Sequence, residues 1–206
     1  YLTDALYEMD QLEECERRLL DNLPHVYESG MPDLFIQSHR NLILVARAHG
    51  DMEEAYRWAN ALEGLGRKRS FSRVVASAQL LQAELALHTG DTDSAERLLE
   101  RAAHGLDWYL FEEWRPYAND LVVPDVTRLR VLLARERHGE AIALAESLVG
   151  KAERLNRGYR SLALRVLWAT AIAQGEGEET AAQFLAGNVP GGVAQGDRKK
   201  FIERGK

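Results

Sequence analysis

At 206 residues, with hydrophobic residues at 46%, charged residues at 28% and five prolines, the chain has the composition of a globular protein rather than a disordered one. Its formal net charge of −6 argues against a surface that replaces the counterions of a phosphate backbone, so no direct nucleic-acid contact is expected. The single cysteine, Cys15, excludes an internal disulfide, and no apolar run nears the roughly 20 residues that span a bilayer, so a cytoplasmic protein with no membrane segment is expected.

Ala, Leu, Glu and Arg dominate and β-branched residues are scarce, a bias that favours helix almost throughout. The chain opens at Tyr1 with no initiator Met or leader pattern, which predicts a segment of a longer polypeptide. The first recognisable element is Asp10-Gln11-Leu12-Glu13-Glu14-Cys15, a turn residue followed by an acidic pair and a small residue. It recurs 40 positions later as Gly50-Asp51-Met52-Glu53-Glu54-Ala55, and 40 later again as Gly90-Asp91-Thr92-Asp93-Ser94-Ala95. In the second copy Leu34, Ile36, Leu42, Ile43, Val45 and Ala46 give an apolar helical stripe; Gly50 supplies a left-handed C-cap, and Asp51 caps the next helix. Glu53 and Glu54 then fall in its first turn, where the helix dipole favours them. The stretch 64–73, with Arg67, Lys68, Arg69 and Arg73, reads as a solvated basic loop between hairpins. Its Gly64-Leu65-Gly66 lacks the strand and the Gly-Lys-Ser/Thr ending of a phosphate loop. The third copy repeats the pattern with Val74, Val75, Ala78, Leu81 and Leu85 before Gly90.

Residues 104–124 form an enlarged connection that interrupts the repeat. Trp108, Tyr109, Phe111, Trp114 and Tyr117 crowd into it. Two readings stand: the rings plug the gap where regular stacking breaks, or Trp108, Tyr109, Trp114 and Tyr117 line a ligand or partner site. A fourth copy, Glu136-Arg137-His138-Gly139-Glu140-Ala141, follows 46 residues after the third, and Gly175-Glu176-Gly177-Glu178-Glu179-Thr180 comes 39 after that. The repeat array is expected over residues 1–186. Residues 187–206, with Gly187, Pro190, Gly191, Gly192, Gly196 and the basic Arg198, Lys199 and Lys200, read as a tail or linker toward a further domain.

Each copy is an amphipathic run, a tight turn and an acidic start to a second amphipathic run, hence a helical hairpin. One hairpin cannot bury its stripe alone, so successive hairpins must stack. The predicted fold is an all-α solenoid, a superhelix of about five antiparallel helix hairpins. Ala55 and Ala59, Ala95 and Ala102, and Ala141 and Ala145 allow close helix approach on the second helices, and Cys15 fills that slot as a small apolar residue.

No catalytic chemistry is legible. The six histidines, His25, His39, His49, His88, His104 and His138, include no His-Glu-x-x-His pair and no cysteine partners, so no metal site, no cofactor and no catalytic residue is expected. His49, His88 and His138 fall near the ends of first helices, where a cation complements the dipole.

The turn-acidic-acidic-Ala signature resembles tetratricopeptide repeats, with a period of 40 instead of about 34 and with His39 and Gln79 where a large aromatic is usual; Tyr159 matches that aromatic in the last copy. Repeats of this longer kind resemble the central region of the large LuxR-type, ATP-dependent bacterial regulators related to the maltose-regulon activator. The resemblance rests on Leu6-Tyr7-Glu8-Met9-Asp10-Gln11-Leu12-Glu13-Glu14-Cys15-Glu16, Val131-Leu132-Leu133-Ala134-Arg135 and Glu140-Ala141-Ile142-Ala143-Leu144-Ala145-Glu146, within residues 1–186. In that family the superhelix receives an inducer or an inhibitory protein and acts with a neighbouring ATPase module and a DNA-binding module, neither of which has its motif here. The resemblance therefore implies a non-catalytic sensor domain for a small-molecule effector or regulatory protein; a freestanding adaptor for protein segments is the alternative. Tetratricopeptide geometry implies that first helices line a concave groove, with Gln37, Arg40, Arg47, Glu84, His88, Arg130, Arg157, Arg160 and Trp168 toward it, giving a cationic groove or else an ordinary solvated face. Repeats that clamp a peptide C-terminus carry an Asn four residues after the first groove cation, whereas Leu44 follows Arg40, which disfavours that use.

Overall fold

The computed structural model describes residues 2–108, 110 and 120–188, and among these it contains ten helices and no strand. They are α1 (Leu2–Glu8), α2 (Leu12–Ser29), α3 (Pro32–Ala48), α4 (Met52–Arg69), α5 (Ser72–His88), α6 (Thr92–His104), α7 (Pro124–Ala134), α8 (His138–Arg154), α9 (Gly158–Glu176) and α10 (Glu178–Asn188). The five hairpins expected from the repeat are α1–α2, α3–α4, α5–α6, α7–α8 and α9–α10. The last helix runs through Gly187 to Asn188; the rest of the tail lies outside the described residues.

The turn inside each of the first four hairpins is the same hydrogen-bonded unit. Asp51 N–H donates to Ala46 O at 2.9 Å and Gly50 N–H to Arg47 O at 3.0 Å; Asp91 N–H donates to Ala86 O at 2.8 Å and Gly90 N–H to Leu87 O at 3.1 Å. These paired bonds satisfy carbonyls that a helix end would otherwise leave without partners, and they require a left-handed residue at the penultimate position. Gly50 and Gly90 meet that need with φ of 79° and 80°, while Asp10 and Glu136 adopt φ of 61° and 57° in the first and fourth copies. Asp51 and Asp91 then cap the second helix of their hairpins, accepting from the N–H of Glu54 at 2.8 Å and Ser94 at 3.0 Å.

Odd-numbered helices form an inner layer in which each touches the next odd-numbered helix, and even-numbered helices form an outer layer that touches only the odd-numbered neighbours. Inner α5 is accordingly buried almost all round, from Val74 to Ala86, whereas outer α6 buries only Ala95, Leu99 and Ala102. The small residues of the second helices, Ala55, Ala59, Ala95, Ala102, Ala141 and Ala145, are fully buried, and so is Cys15. Burial, then the charges of Asp4 and Glu16, raise the Cys15 thiol above its ordinary value, and its Sγ–H donates to Thr3 O, so the side chain packs as an inert small group.

Two local expectations are corrected. Residues 64–69 are not a loop: they are the last turns of α4, and only Ser70 and Phe71 connect it to α5. Arg67, Lys68 and Arg69 sit in the C-terminal turn, where cations complement the dipole, and a Cβ on Gly66 would lie 2.9 Å from the Val75 backbone nitrogen, so this glycine serves the close approach of α5. His138 does not close a first helix; it opens α8 and packs beneath Gly175 of α9.

The buried side chains fall into three clusters: one around Cys15, Leu19, Leu42 and Val45, a central one from Phe35 to Val131, and one of α7 to α9 around Leu129, Leu148 and Leu164. Trp108 packs against both the central and the last cluster, and its indole N–H donates to Ala102 O at 3.0 Å. This ring therefore bridges the seam between the two clusters. Tyr109, Trp114 and Tyr117 lie outside the described residues.

Candidate functional site

All five inner helices contribute to one groove of about 640 Å³. That volume is within the range of roughly 300–1,000 Å³ typical of ligand sites. The stacking produces it directly: equivalent faces of successive inner helices are brought side by side, so residues about 40 positions apart become neighbours across a concave wall.

Five of the residues expected from the sequence line this groove: Arg40 and Arg47 from α3, Glu84 and His88 from α5, and Arg130 from α7. Arg130 and Glu84 form an ion pair that ties α7 to α5. Arg40 reaches Asn41 Oδ1 at 3.3 Å. Arg47 forms no ion pair among the described residues, and its Nε is buried without a hydrogen-bond partner. A buried donor left in this state costs about 1–3 kcal/mol, more when charged. Burial, and then the nearby Arg47 charge, hold His88 below its ordinary imidazole value, so at neutral pH it faces the groove uncharged. Three arginines thus meet two carboxylates here, Glu8 and Glu84.

The remaining expected residues lie elsewhere. Gln37 donates to Asp4 Oδ1 at 2.5 Å and braces α3 against α1. Arg157 and Arg160 are buried on Asp120, at the close of the interruption: Arg157 Nη1 donates to Asp120 Oδ1 at 2.5 Å and Arg160 Nε to Asp120 O at 2.7 Å. Their register is one that faces inward, but inward at that point means into protein. Trp168 packs on Phe184 of α10 with ring centroids 4.7 Å apart.

Sequence reasoning missed the groove's apolar wall, to which Leu44, Tyr159 and Leu167 contribute exposed surface over the buried Leu81 and Leu85. Leucines at helical spacing carry no mark that separates wall from core. Tyr159, placed at the usual aromatic position, is 55% exposed in the groove, whereas His39 takes the buried role, at 0% exposure, between Tyr27 and Trp58. His39 Nδ1 lies 2.8 Å from Phe35 O and Nε2 3.3 Å from the Tyr27 hydroxyl.

Among the described residues no group of His, Cys, Asp and Glu is placed to hold a metal, and no helix is long and apolar enough to cross a membrane. Domains of stacked helical hairpins present extended concave surfaces for binding and mediate protein interactions. No curated protein and no solved structure matches the chain. Among protein families, the MalT-like TPR region matches it over residues 1–206. With its five tetratricopeptide-like hairpins and their shared inner groove, the chain belongs to the family of the MalT-like TPR region.

Proposed function

We propose that this domain is the sensor of a bacterial LuxR-type transcription regulator, receiving a small-molecule effector or a regulatory protein in the inner groove and carrying out no catalysis itself. Family membership supports the regulatory setting. The observation that carries the binding role is the groove shared by all five inner helices, with Arg47 left unpaired in its wall. Because the groove crosses the seam at Trp108, an occupant that contacts both α3–α5 and α7–α9 would favour one curvature of the superhelix. That bias would pass to neighbouring ATPase and DNA-binding modules in a longer cytoplasmic chain.

The test is a thermal-shift screen of sugars and metabolites on the 206-residue chain, since a ligand selective for the folded state raises the melting temperature. Ala163, in the groove wall on α9, offers the specific control: Ala163→Trp fills the groove and is expected to abolish the shift while the protein remains folded. A shift that survives this substitution would move the site elsewhere. A reading frame that lacks both a Walker motif upstream and a helix-turn-helix downstream would point instead to a freestanding adaptor.

A further inference from the structure

The charges that face the groove are unevenly satisfied. Glu8 comes from α1, Arg40 and Arg47 from α3, Glu84 and His88 from α5, and Arg130 from α7; the α9 wall contributes Tyr159, Ala163, Leu167, Thr170 and Gln174 but no charge. Glu84 is engaged by Arg130, and Arg40 rests on Asn41. Arg47 is different: it stands near the C-terminal end of α3, opposite His88 at the end of α5, with a buried Nε and no acceptor for it. Complementing the helix dipole needs only a charge at the helix end, which a solvated side chain supplies equally well. It does not explain why Arg47, of the three arginines that line the groove, has no side-chain acceptor among the described residues.

A guanidinium with unused donors presents a planar fork that matches the oxygens of a carboxylate or a phosphate. Leu44, Tyr159 and Leu167 supply apolar surface in the same groove. The groove volume suits a small molecule. We infer that the Arg47–His88 end of the groove is an oxyanion subsite, and that the effector is a small amphiphilic molecule carrying a carboxylate or phosphate-monoester group on an apolar body. This rests on the reading of the groove as an effector site and adds the chemical class of the effector.

The coupling to pH has a definite sign. Burial first and the Arg47 charge second depress His88; an anion on Arg47 offsets the second of these, so the imidazole gains a proton more readily in the complex than in the free protein. For a carboxylate, which keeps its charge there, binding therefore tightens as pH falls below the ordinary imidazole value of about 6.5; a phosphate monoester takes up its own proton at about pH 6, which opposes the gain.

Hexanoate, hexyl phosphate and hexan-1-ol share one apolar chain and separate the head groups, so calorimetric titration of the 206-residue chain with each is the test. At least one anion is expected to bind about tenfold more tightly than the alcohol, and comparison of the two anions tells carboxylate from phosphate. Arg47→Gln is expected to remove that preference, while Arg17→Gln, on the exposed side of α2, keeps it. As a readout that needs no variant, the binding anion should raise the midpoint of the His88 imidazole titration followed by NMR. Equal binding of alcohol and anions, no binding by any of the three, or an unmoved His88 would overturn the inference. A neutral ligand lost in Ala163→Trp but indifferent to Arg47→Gln would overturn it and leave the sensing role standing; failure of every ligand to enter the groove would end both.

Discussion

His39 illustrates how one side chain sets a pH limit on this fold. It is buried between Tyr27 and Trp58, and burial holds its imidazole below the ordinary value, with the Phe35 carbonyl pulling the other way more weakly. A base whose folded value is depressed binds fewer protons folded than unfolded, so its contribution is intact above the unfolded value of about 6.5 and is lost as pH drops below it. The urea midpoint should therefore fall between about pH 7.5 and about pH 5.5, and His39→Phe, which keeps an aromatic in the slot, should flatten that fall. An unchanged slope in the variant would assign the acid sensitivity to other groups. Glu63 acts in a lower window. Burial raises its carboxyl, but hydrogen bonds from Gln82, Arg67 and Gln79 outweigh burial and leave it below the usual carboxylate value, so its contribution holds near neutrality and disappears as pH falls below about 4.3.

At the scale of the element, the repeated turn and the interruption make separate demands. The left-handed position is met by glycine in the second and third hairpins, and a methyl added at Gly90 would meet open space. Gly90→Ala is therefore expected to cost about 1 kcal/mol through backbone strain alone, as judged by chemical denaturation. Asp51→Ala should cost a similar amount, about 1 kcal/mol, by releasing the Glu54 N–H of the α4 cap. The interruption is anchored differently. Asp120 is held by Arg157 and Arg160, whose side chains are 9% and 5% exposed, so removing the carboxylate takes one charged acceptor from two poorly solvated guanidiniums. Asp120→Ala is expected to destabilise by about 2 kcal/mol, the scale of a lost charge-assisted hydrogen bond, as judged by chemical denaturation.

At the scale of the whole molecule, the inner helices act as one wall across three core clusters, and Trp108 joins the central cluster to the last. In a stacked array stability is a sum of hairpin terms and nearest-neighbour interfaces, so weakening one interface separates the two sides. Trp108→Ala is expected to cost about 3 kcal/mol and to split thermal unfolding into two transitions, with α7–α10 melting apart from α1–α6, as seen by calorimetry. A single sharp transition at lower temperature would mean that Val122 and Val131 carry the coupling without it. The Glu84–Arg130 ion pair crosses the same seam within the groove, which places the two halves of the proposed effector site on either side of the joint.

The hairpins, their turns and the small residues between helices were legible in the residues themselves. A left-handed turn, a first-turn acid and a slot too narrow for a large side chain are local demands, and they recur wherever the chain repeats them. Arg40, Arg47, Glu84, His88 and Arg130 line the groove where helical register places them once tetratricopeptide geometry, which the resemblance implies, is granted. Register could not say which inward residues meet open space. Arg157 and Arg160 share the direction but are taken up by Asp120, Trp168 is covered by α10, and His39 is sealed into the core while Tyr159 stands exposed. Those outcomes depend on what neighbouring hairpins and the interruption bring opposite each position, some 37 to 40 residues away for the Asp120 pairs. Local sequence determined the hairpins and their inner faces; the stacking decided where the wall is open, because a groove is the space that several helices leave between them and no single helix encodes it.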